Sequence, residues 1–365
     1  MTAAAPTLLR PPPIALRPAA TTPVRRRSGL RTVLAALLLV GLVVGAVSQR
    51  ALLAGVPGAL GHARLGWVAL AGLCAAVSVP ALAMQQRQLM GVGGRRPPVG
   101  LLVGTTVTGN AISVSVPLVG SEMSVAYTYR RLARHGVDRA AVAWALIVSG
   151  LLSATAFAAL VAVGALVSGN GSAAVAGLVT LVTVVLPGGA LVLGLRSRVV
   201  RDRAVRIIGP VEQRVHRLTR GRSAAPGGHS VTELVAQIGH LHTRRSTLPV
   251  ALGWSLLNWA SDLACLGAAL EAVGASVPWR GLILAWAAGA GVSSLGLTPG
   301  GLGVVEAALA FALVGTGLPY LAAVSGVLVY RVFSLWLAVL TGWLLLAGST
   351  SLVGRLRPRA WRQPV

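Results

Sequence analysis

Three ionisable side chains fall deep inside apolar stretches of this chain: Asp262, Glu306 and Arg331, with Glu122 near the end of a fourth stretch. A charge in hydrocarbon is costly, so such groups face a bundle interior, a partner or a water-filled path. Two kinds of chemistry follow. Arg331 can pair with Glu306 or Asp262 to hold helices together, because a buried pair often serves packing or register. Its guanidinium can also offer paired donors to an anion such as a phosphate, with Glu306 balancing the arginine or meeting a cationic group.

Glu306 closes an unusual stretch, Ser293-Ser294-Leu295-Gly296-Leu297-Thr298-Pro299-Gly300-Gly301-Leu302-Gly303-Val304-Val305-Glu306. Pro299 removes an amide donor and disfavours helix at Thr298, while Gly300, Gly301 and Gly303 admit backbone conformations that other residues resist. From Leu282 to Tyr320 the only charged residue is Glu306, so no charged anchor marks a membrane surface at this break. Lipid cannot satisfy free N–H and C=O groups, so the break is read as buried in protein or lining a polar cavity. A helix starting after Pro299 turns its N–H groups and positive end inward, which suits an anion.

The elements that carry these residues are apolar runs of membrane-crossing length. The 365 residues are 55% hydrophobic, and runs occur at 30–47, 65–84, 99–120, 141–167, 173–195, 248–272, 281–297 with 301–316, and 320–347. Crossing hydrocarbon takes about 20 residues of helix. The expected fold is all-α: a polytopic helical membrane protein with about six full spans plus two re-entrant or broken helical hairpins. Residues 1–29, rich in Pro, Ala, Thr and Arg, read as a disordered basic cytoplasmic arm; 30–347 as the membrane domain, with 196–247 a basic cytoplasmic loop; and 348–365 as a basic cytoplasmic tail. Within the loop, apolar spacing on both sides of Gly209-Pro210 suggests an interfacial helix pair.

Charge placement sets the topology. The net charge is +24, from 32 basic and 8 acidic residues, and every basic residue is arginine. These arginines flank apolar runs, which favours control of topology and contact with anionic headgroups over nucleic acid. If every run up to 195 simply crossed from an inside N-terminus, the loop 196–247 with its 11 arginines would lie outside. Letting the 99–120 run enter and leave on the cytoplasmic side puts Arg95, Arg130 and the loop inside together. The same count requires 281–316 to cross an even number of times, which a hairpin entered from outside and two full spans both satisfy; the absence of flanking charge favours the hairpin. The two interrupted segments then enter from opposite faces, each with a proline, a glycine and a glutamate in order: Pro117, Gly120, Glu122 and Pro299, Gly303, Glu306. Inverted repeats with broken helices meeting at midplane are a recurring way to build a transport site.

Other chemistries find little support. Cys74 and Cys265 sit singly in apolar runs, and His216, His229, His240 and His242 lack a recognised metal-ligand spacing, so neither a metal nor a cofactor is expected. No nucleophile triad order, phosphate loop or close acidic pair lies in the spans.

The motifs do resemble a known family. Leu297-Thr298-Pro299-Gly300-Gly301-Leu302-Gly303-Val304-Val305-Glu306, followed by Val329-Tyr330-Arg331-Val332-Phe333-Ser334-Leu335-Trp336, is similar to the hallmark of the lysylphosphatidylglycerol synthase transmembrane-region, or flippase-like, family. Gly109-Asn110 through Pro117-Leu118-Val119-Gly120, with Tyr129-Arg130-Arg131-Leu132, resembles its first region, with Leu118-Val119 interrupting the Pro-Gly-Gly form; Asn258-Trp259 and Asp262 also fit. The resemblance implies a stand-alone membrane domain without the aminoacyl-transferase domain, one that binds and moves a phospholipid or polyprenyl-phosphate-linked lipid across the cytoplasmic membrane rather than an enzyme. The implied site is Thr298, Pro299, Gly300, Gly301, Gly303, Glu306 and Arg331, with Asp262, Asn258, Asn110, Pro117, Gly120, Glu122 and Arg130. Membrane lipids with anionic or zwitterionic headgroups are the expected partners, beside a lipid-modifying enzyme and a second copy of the chain. The alternatives are an accessory subunit or intramembrane transferase of a lipid-linked glycosyl or aminoacyl pathway, or a scaffold.

Overall fold

The structure, a computed structural model, describes residues 63–94, 96–197, 206 and 246–355. The N-terminal arm, the first apolar run, nearly all of the arginine-rich loop with its helix pair and histidines, and the last ten residues lie outside the described residues. Within them every regular element is helical. The helices are α1 (Leu65–Met90), α2 (Val99–Ser115), α3 (Gly120–Arg134), α4 (Arg139–Val167), α5 (Gly171–Arg196), α6 (Thr247–Ala272), α7 (Trp279–Ser294), α8 (Val304–Gly315), α9 (Tyr320–Arg331) and α10 (Ala338–Arg355). A π-helical stretch, Val332–Leu337, joins α9 to α10.

Among the described residues four helical stretches are long and apolar enough to cross a membrane: Leu65–Gly93, Arg139–Val167, Gly171–Ala190 and Tyr320–Gly348. By contrast α2, α3, α7 and α8 have 17, 15, 16 and 12 residues. At these lengths they rise only about 18 to 26 Å, short of the roughly 30 Å of hydrocarbon. They pack as two pairs, α2 against α3 and α7 against α8.

Contacts between helix ends define two faces. The amide of Arg64 donates to the carbonyl of Ala272, so α1 begins where α6 ends, and these two helices form the most extensive packing in the bundle. Gly164 near the end of α4 lies against Ile283, Gly281 against Thr316, and Gly326 against Leu270. The start of α1, the end of α4, the outer ends of the α7–α8 hairpin and the start of α9 therefore share one face. The opposite face holds the end of α1, the outer ends of the α2–α3 hairpin and the start of α4, where Gly93 packs on Ala141. This second face carries Arg87, Arg96, Arg130, Arg131, Arg134 and Arg139. Asp138 caps α4 there, accepting from the amide of Ala141 at 2.9 Å.

The two hairpins thus enter from opposite faces, and their tips meet. The amide of Leu118, in the α2–α3 turn, donates to the carbonyl of Gly296, just past α7, at 3.0 Å. Close approach shapes the first tip: Gly120 rests on the carbonyl of Ser113, where a Cβ would overlap the oxygen. Leu118 has φ of 59°, the left-handed conformation that favours glycine, at the position where the Pro-Gly-Gly form has one. The second tip lies level with the middle of a long span, because Gly300 contacts Arg331, well inside Tyr320–Gly348. The break therefore turns back inside the bundle.

Two measurements check this architecture. Single cysteines at Arg96 and His135 should react with an impermeant thiol reagent from one side of the membrane, and those at Ser276 and Pro319 from the other; a shared side for all four would rule the arrangement out. Substitutions at the first tip should have opposite signs. Gly120→Ala should lower the thermal midpoint through a backbone clash of about 1–3 kcal/mol, while Leu118→Gly should raise it by relieving about 1 kcal/mol of left-handed strain.

Candidate functional site

The break between α7 and α8 is held by side chains as well as by its own turn. The Gly301 amide donates to the Thr298 carbonyl at 2.9 Å, and the Thr298 hydroxyl donates to the Leu302 carbonyl at 3.0 Å. Gly300, Gly301 and Gly303 have φ of 67°, 66° and 83°, so the sharp turn needs residues without a Cβ. Glu306, three residues beyond the break, is buried. One of its carboxylate oxygens accepts from the Gly303 amide at 2.6 Å, and the other accepts from Arg331 Nε at 2.6 Å. Arg331 also donates through Nη2 to the carbonyl of Gly300. One ion pair therefore fastens the start of α8, the turn before it and the end of α9.

This geometry modifies the anion-cradle expectation. The negative pole at the start of α8 is already supplied by Glu306, and the cavity wall extends to Gly301 but not to the first turn of α8. The guanidinium, with five donors of which two are engaged as described, is the group left to meet an anion.

Asp262 of α6 has a different setting. Its carboxylate accepts from Trp286 Nε1 at 2.8 Å and from the Tyr330 hydroxyl at 3.0 and 3.1 Å. Trp286, Trp259 and Phe157 pack as a three-ring cluster with centroids 5.2 to 5.6 Å apart, which fixes the ring that donates to Asp262. One turn earlier on α6, Asn258 accepts from the Ser78 hydroxyl at 3.2 Å, and Trp259 donates to Ser153 at 3.0 Å.

These groups surround a cavity of about 340 Å³ where the two tips meet. Among the expected residues Asn110, Asn258, Asp262, Thr298, Gly300, Gly301 and Arg331 line it. Glu306 stands behind Arg331, and Pro299 and Gly303 shape the turn. Pro117 and Gly120 build the first tip without lining the cavity. Glu122 and Arg130 are exposed on α3 and outside the cavity, Glu122 accepting from Ser121 at 3.1 Å. Sequence reading did not assign Ser78, Ser113, Ser153, Tyr330 or Ser334 to the site, although Ser113 lies in the first motif region and Tyr330 and Ser334 in the hallmark stretch; all five line the cavity. Lone hydroxyls in apolar runs carry no periodic signal. Ser334, in the π-helical stretch, is the most telling, since its hydroxyl is buried with no partner among the described residues.

The surroundings are asymmetric. Towards the arginine-rich face lie the buried polar residues Gln85, Gln86, Thr105, Thr106, Thr108 and Ser149. Gln85 and Ser149 bond reciprocally, Nε2 to the backbone carbonyl at 3.2 Å and hydroxyl to Oε1 at 3.3 Å, and Thr106 donates to Gln86 at 3.3 Å. Towards the opposite face the cavity is backed by an apolar cluster including Ala71, Leu266, Leu270, Leu282, Leu309, Leu313 and Val327.

Residues 33–342 match the model of a family described as the lysylphosphatidylglycerol synthase TM region. No curated protein matches the chain. The matched span takes in both hairpins, the break, Asp262 and Arg331, and it agrees with the all-helical, multi-pass architecture. On that match the chain belongs to the lysylphosphatidylglycerol synthase transmembrane-region family, as a membrane protein of lipid-related pathways.

Proposed function

We propose that this protein takes the headgroup of an anionic or zwitterionic membrane lipid, a phospholipid or a polyprenyl-phosphate-linked lipid, into the cavity between the hairpin tips and passes it across the cytoplasmic membrane. The observation that carries this reading is a cavity of mixed polar and apolar lining at the meeting point of two broken hairpins, with a guanidinium and a hydroxyl that has no partner among the described residues on its wall. Non-helical backbone at membrane depth is tolerated where it lines such a cavity, and helix breaks of this kind form substrate sites in transporters. A volume of about 340 Å³ suits a headgroup and not a whole lipid. The acyl chains then remain in the bilayer, where the tips already present Leu118, Val119, Leu295 and Leu297.

In this reading Arg331 receives the phosphate through donors not given to Glu306 or Gly300, and the Ser334 hydroxyl adds a further bond. Glu306 acts as a positioning residue that keeps the guanidinium oriented. The arginine-rich face is the cytoplasmic one, by the bias of positive residues to that side. The 1–29 arm and the 348–365 tail then share that side, flanking a 30–347 membrane domain.

Purified protein in liposomes holding headgroup-labelled phospholipids and a polyprenyl-phosphate analogue tests the proposal. Wild type should move lipid between leaflets, and Arg331→Ala should abolish movement. That variant also leaves Glu306 buried without its partner, at a cost of about 3–5 kcal/mol, so a second variant separates binding from folding. Arg331→Gln with Glu306→Gln removes both charges together, yet still offers an amide oxygen to the Gly303 N–H and an amide donor towards the Gly300 carbonyl. It should remain folded yet move no lipid. Lipid movement at the wild-type rate in the folded double variant would return the pair to a purely structural role, and a wild type that moves no lipid would favour an accessory subunit.

A further inference from the structure

The Proposed function leaves Asp262 without a role, and the charges around the cavity suggest one. Arg331 and Glu306 neutralise each other through a direct bond. Among the described residues Asp262, on the same wall, accepts only from Trp286 and Tyr330, both neutral donors. Of the elements packed on α6, α9 brings Tyr330 and Arg331 towards Asp262, and α6 itself brings Cys265 one turn on, with Cys74 of α1 beside Cys265. Helices α4 and α7 contribute Phe157, Ser153 and Trp286 there, none of which is charged. With Asp262 ionised the empty cavity carries one net negative charge. An anionic headgroup would add a second negative charge beside it, and two negative charges at close range in a partly buried site repel strongly.

The geometry points to Asp262 as a proton carrier: an anionic lipid headgroup occupies the cavity together with a proton on the Asp262 carboxylate, and the proton leaves when the headgroup does. This rests on the lipid reading of the cavity. The balance is simple. A proton from water at the arginine-rich face forms an O–H bond with a carboxylate oxygen, the headgroup brings one negative charge, and the cavity holds the same total charge as before. Oδ1 is the better placed oxygen, since it accepts from Tyr330 alone, whereas Oδ2 accepts from both donors. A zwitterionic headgroup carries its own positive charge and needs no proton, so the same site handles both classes by different charge accounts.

The test uses purified, delipidated full-length protein in weakly buffered detergent with a pH-sensitive dye, and counts bound lipid phosphorus in parallel. Adding phosphatidylglycerol to wild type should draw protons from solution in step with binding, and phosphatidylethanolamine should bind without uptake. Asp262→Asn, a permanent stand-in for the protonated acid, should lose the uptake, and its phosphatidylglycerol binding should no longer weaken as pH rises. Phosphatidylglycerol binding to wild type without uptake, or uptake undiminished in Asp262→Asn, overturns the proposal and leaves the lipid reading intact. If wild type binds neither phospholipid nor a polyprenyl-phosphate analogue, the lipid reading fails, and Asp262 is then judged separately by dicyclohexylcarbodiimide, which attacks protonated carboxyls in apolar settings. Labelling of Asp262 in wild type that fades as pH rises upholds proton exchange, and absence of labelling at every pH overturns it. The same labelling decides the matter should Asp262→Asn fail to fold.

Discussion

A chain that stops being helical in the middle of a membrane must satisfy its exposed backbone from within, and here one ion pair helps to do it. Glu306 reaches back to the Gly303 amide and across to Arg331, and Arg331 reaches the Gly300 carbonyl. Each of these bonds would be unremarkable at a protein surface. In hydrocarbon an orphaned amide or carbonyl costs several kcal/mol, so the break, the orientation of α8 and the position of Arg331 stand or fall together. The same arrangement places a guanidinium on the wall of the cavity at the tips of both hairpins, because an arginine long enough to brace the turn is also long enough to present its remaining donors beyond it.

The second hairpin depends on the first through backbone rather than charge. Leu118 and Gly296 share a hydrogen bond, Gly300 lies against Val114, and Gly120 lets α3 start directly on α2. Small residues extend the same logic to the neighbouring helix, since Gly342 of α10 allows close contact with Ala111 and Val107 of α2. Helices in lipid gain from such close packing because no hydrophobic force drives them together. The π-helical stretch after Arg331 belongs to this region too, turning Ser334 and Leu335 towards the cavity.

Much of this was legible before any coordinates. A proline among glycines, an isolated glutamate three residues beyond and an arginine in the next apolar run announce a break and its counter-charge, because nothing else makes those residues affordable in hydrocarbon. Arginine placement called for the first excursion and an even number of crossings in the second, where the absence of flanking charge favoured a hairpin over two full spans. What sequence could not supply was the choice of partner. Glu306 and Asp262 were equal candidates for Arg331, and only packing decides that Asp262 goes to Trp286 and Tyr330 instead. Glu122 mirrors Glu306 in its linear pattern but lies exposed in the first turn of α3, where a carboxylate suits the helix dipole. Ser78 and Ser153 were invisible for a plainer reason. A single hydroxyl in a helix most often bonds its own backbone four residues back, as Thr105, Thr108 and Ser115 do here.

The uneven lining around the cavity has an electrostatic consequence. Between the cavity and the arginine-rich face, buried amide and hydroxyl dipoles are set among a second apolar cluster that includes Leu89, Leu102, Trp144 and Val148, while the other half is packed almost wholly with alanine, leucine and valine. The self-energy of a charge, set by how well its surroundings polarise, is therefore lower along one approach than along the other. Stabilising dipoles are thus concentrated on one side of the cavity in this conformation, so the protein solvates a polar group at the centre more from the arginine-rich side than from its opposite.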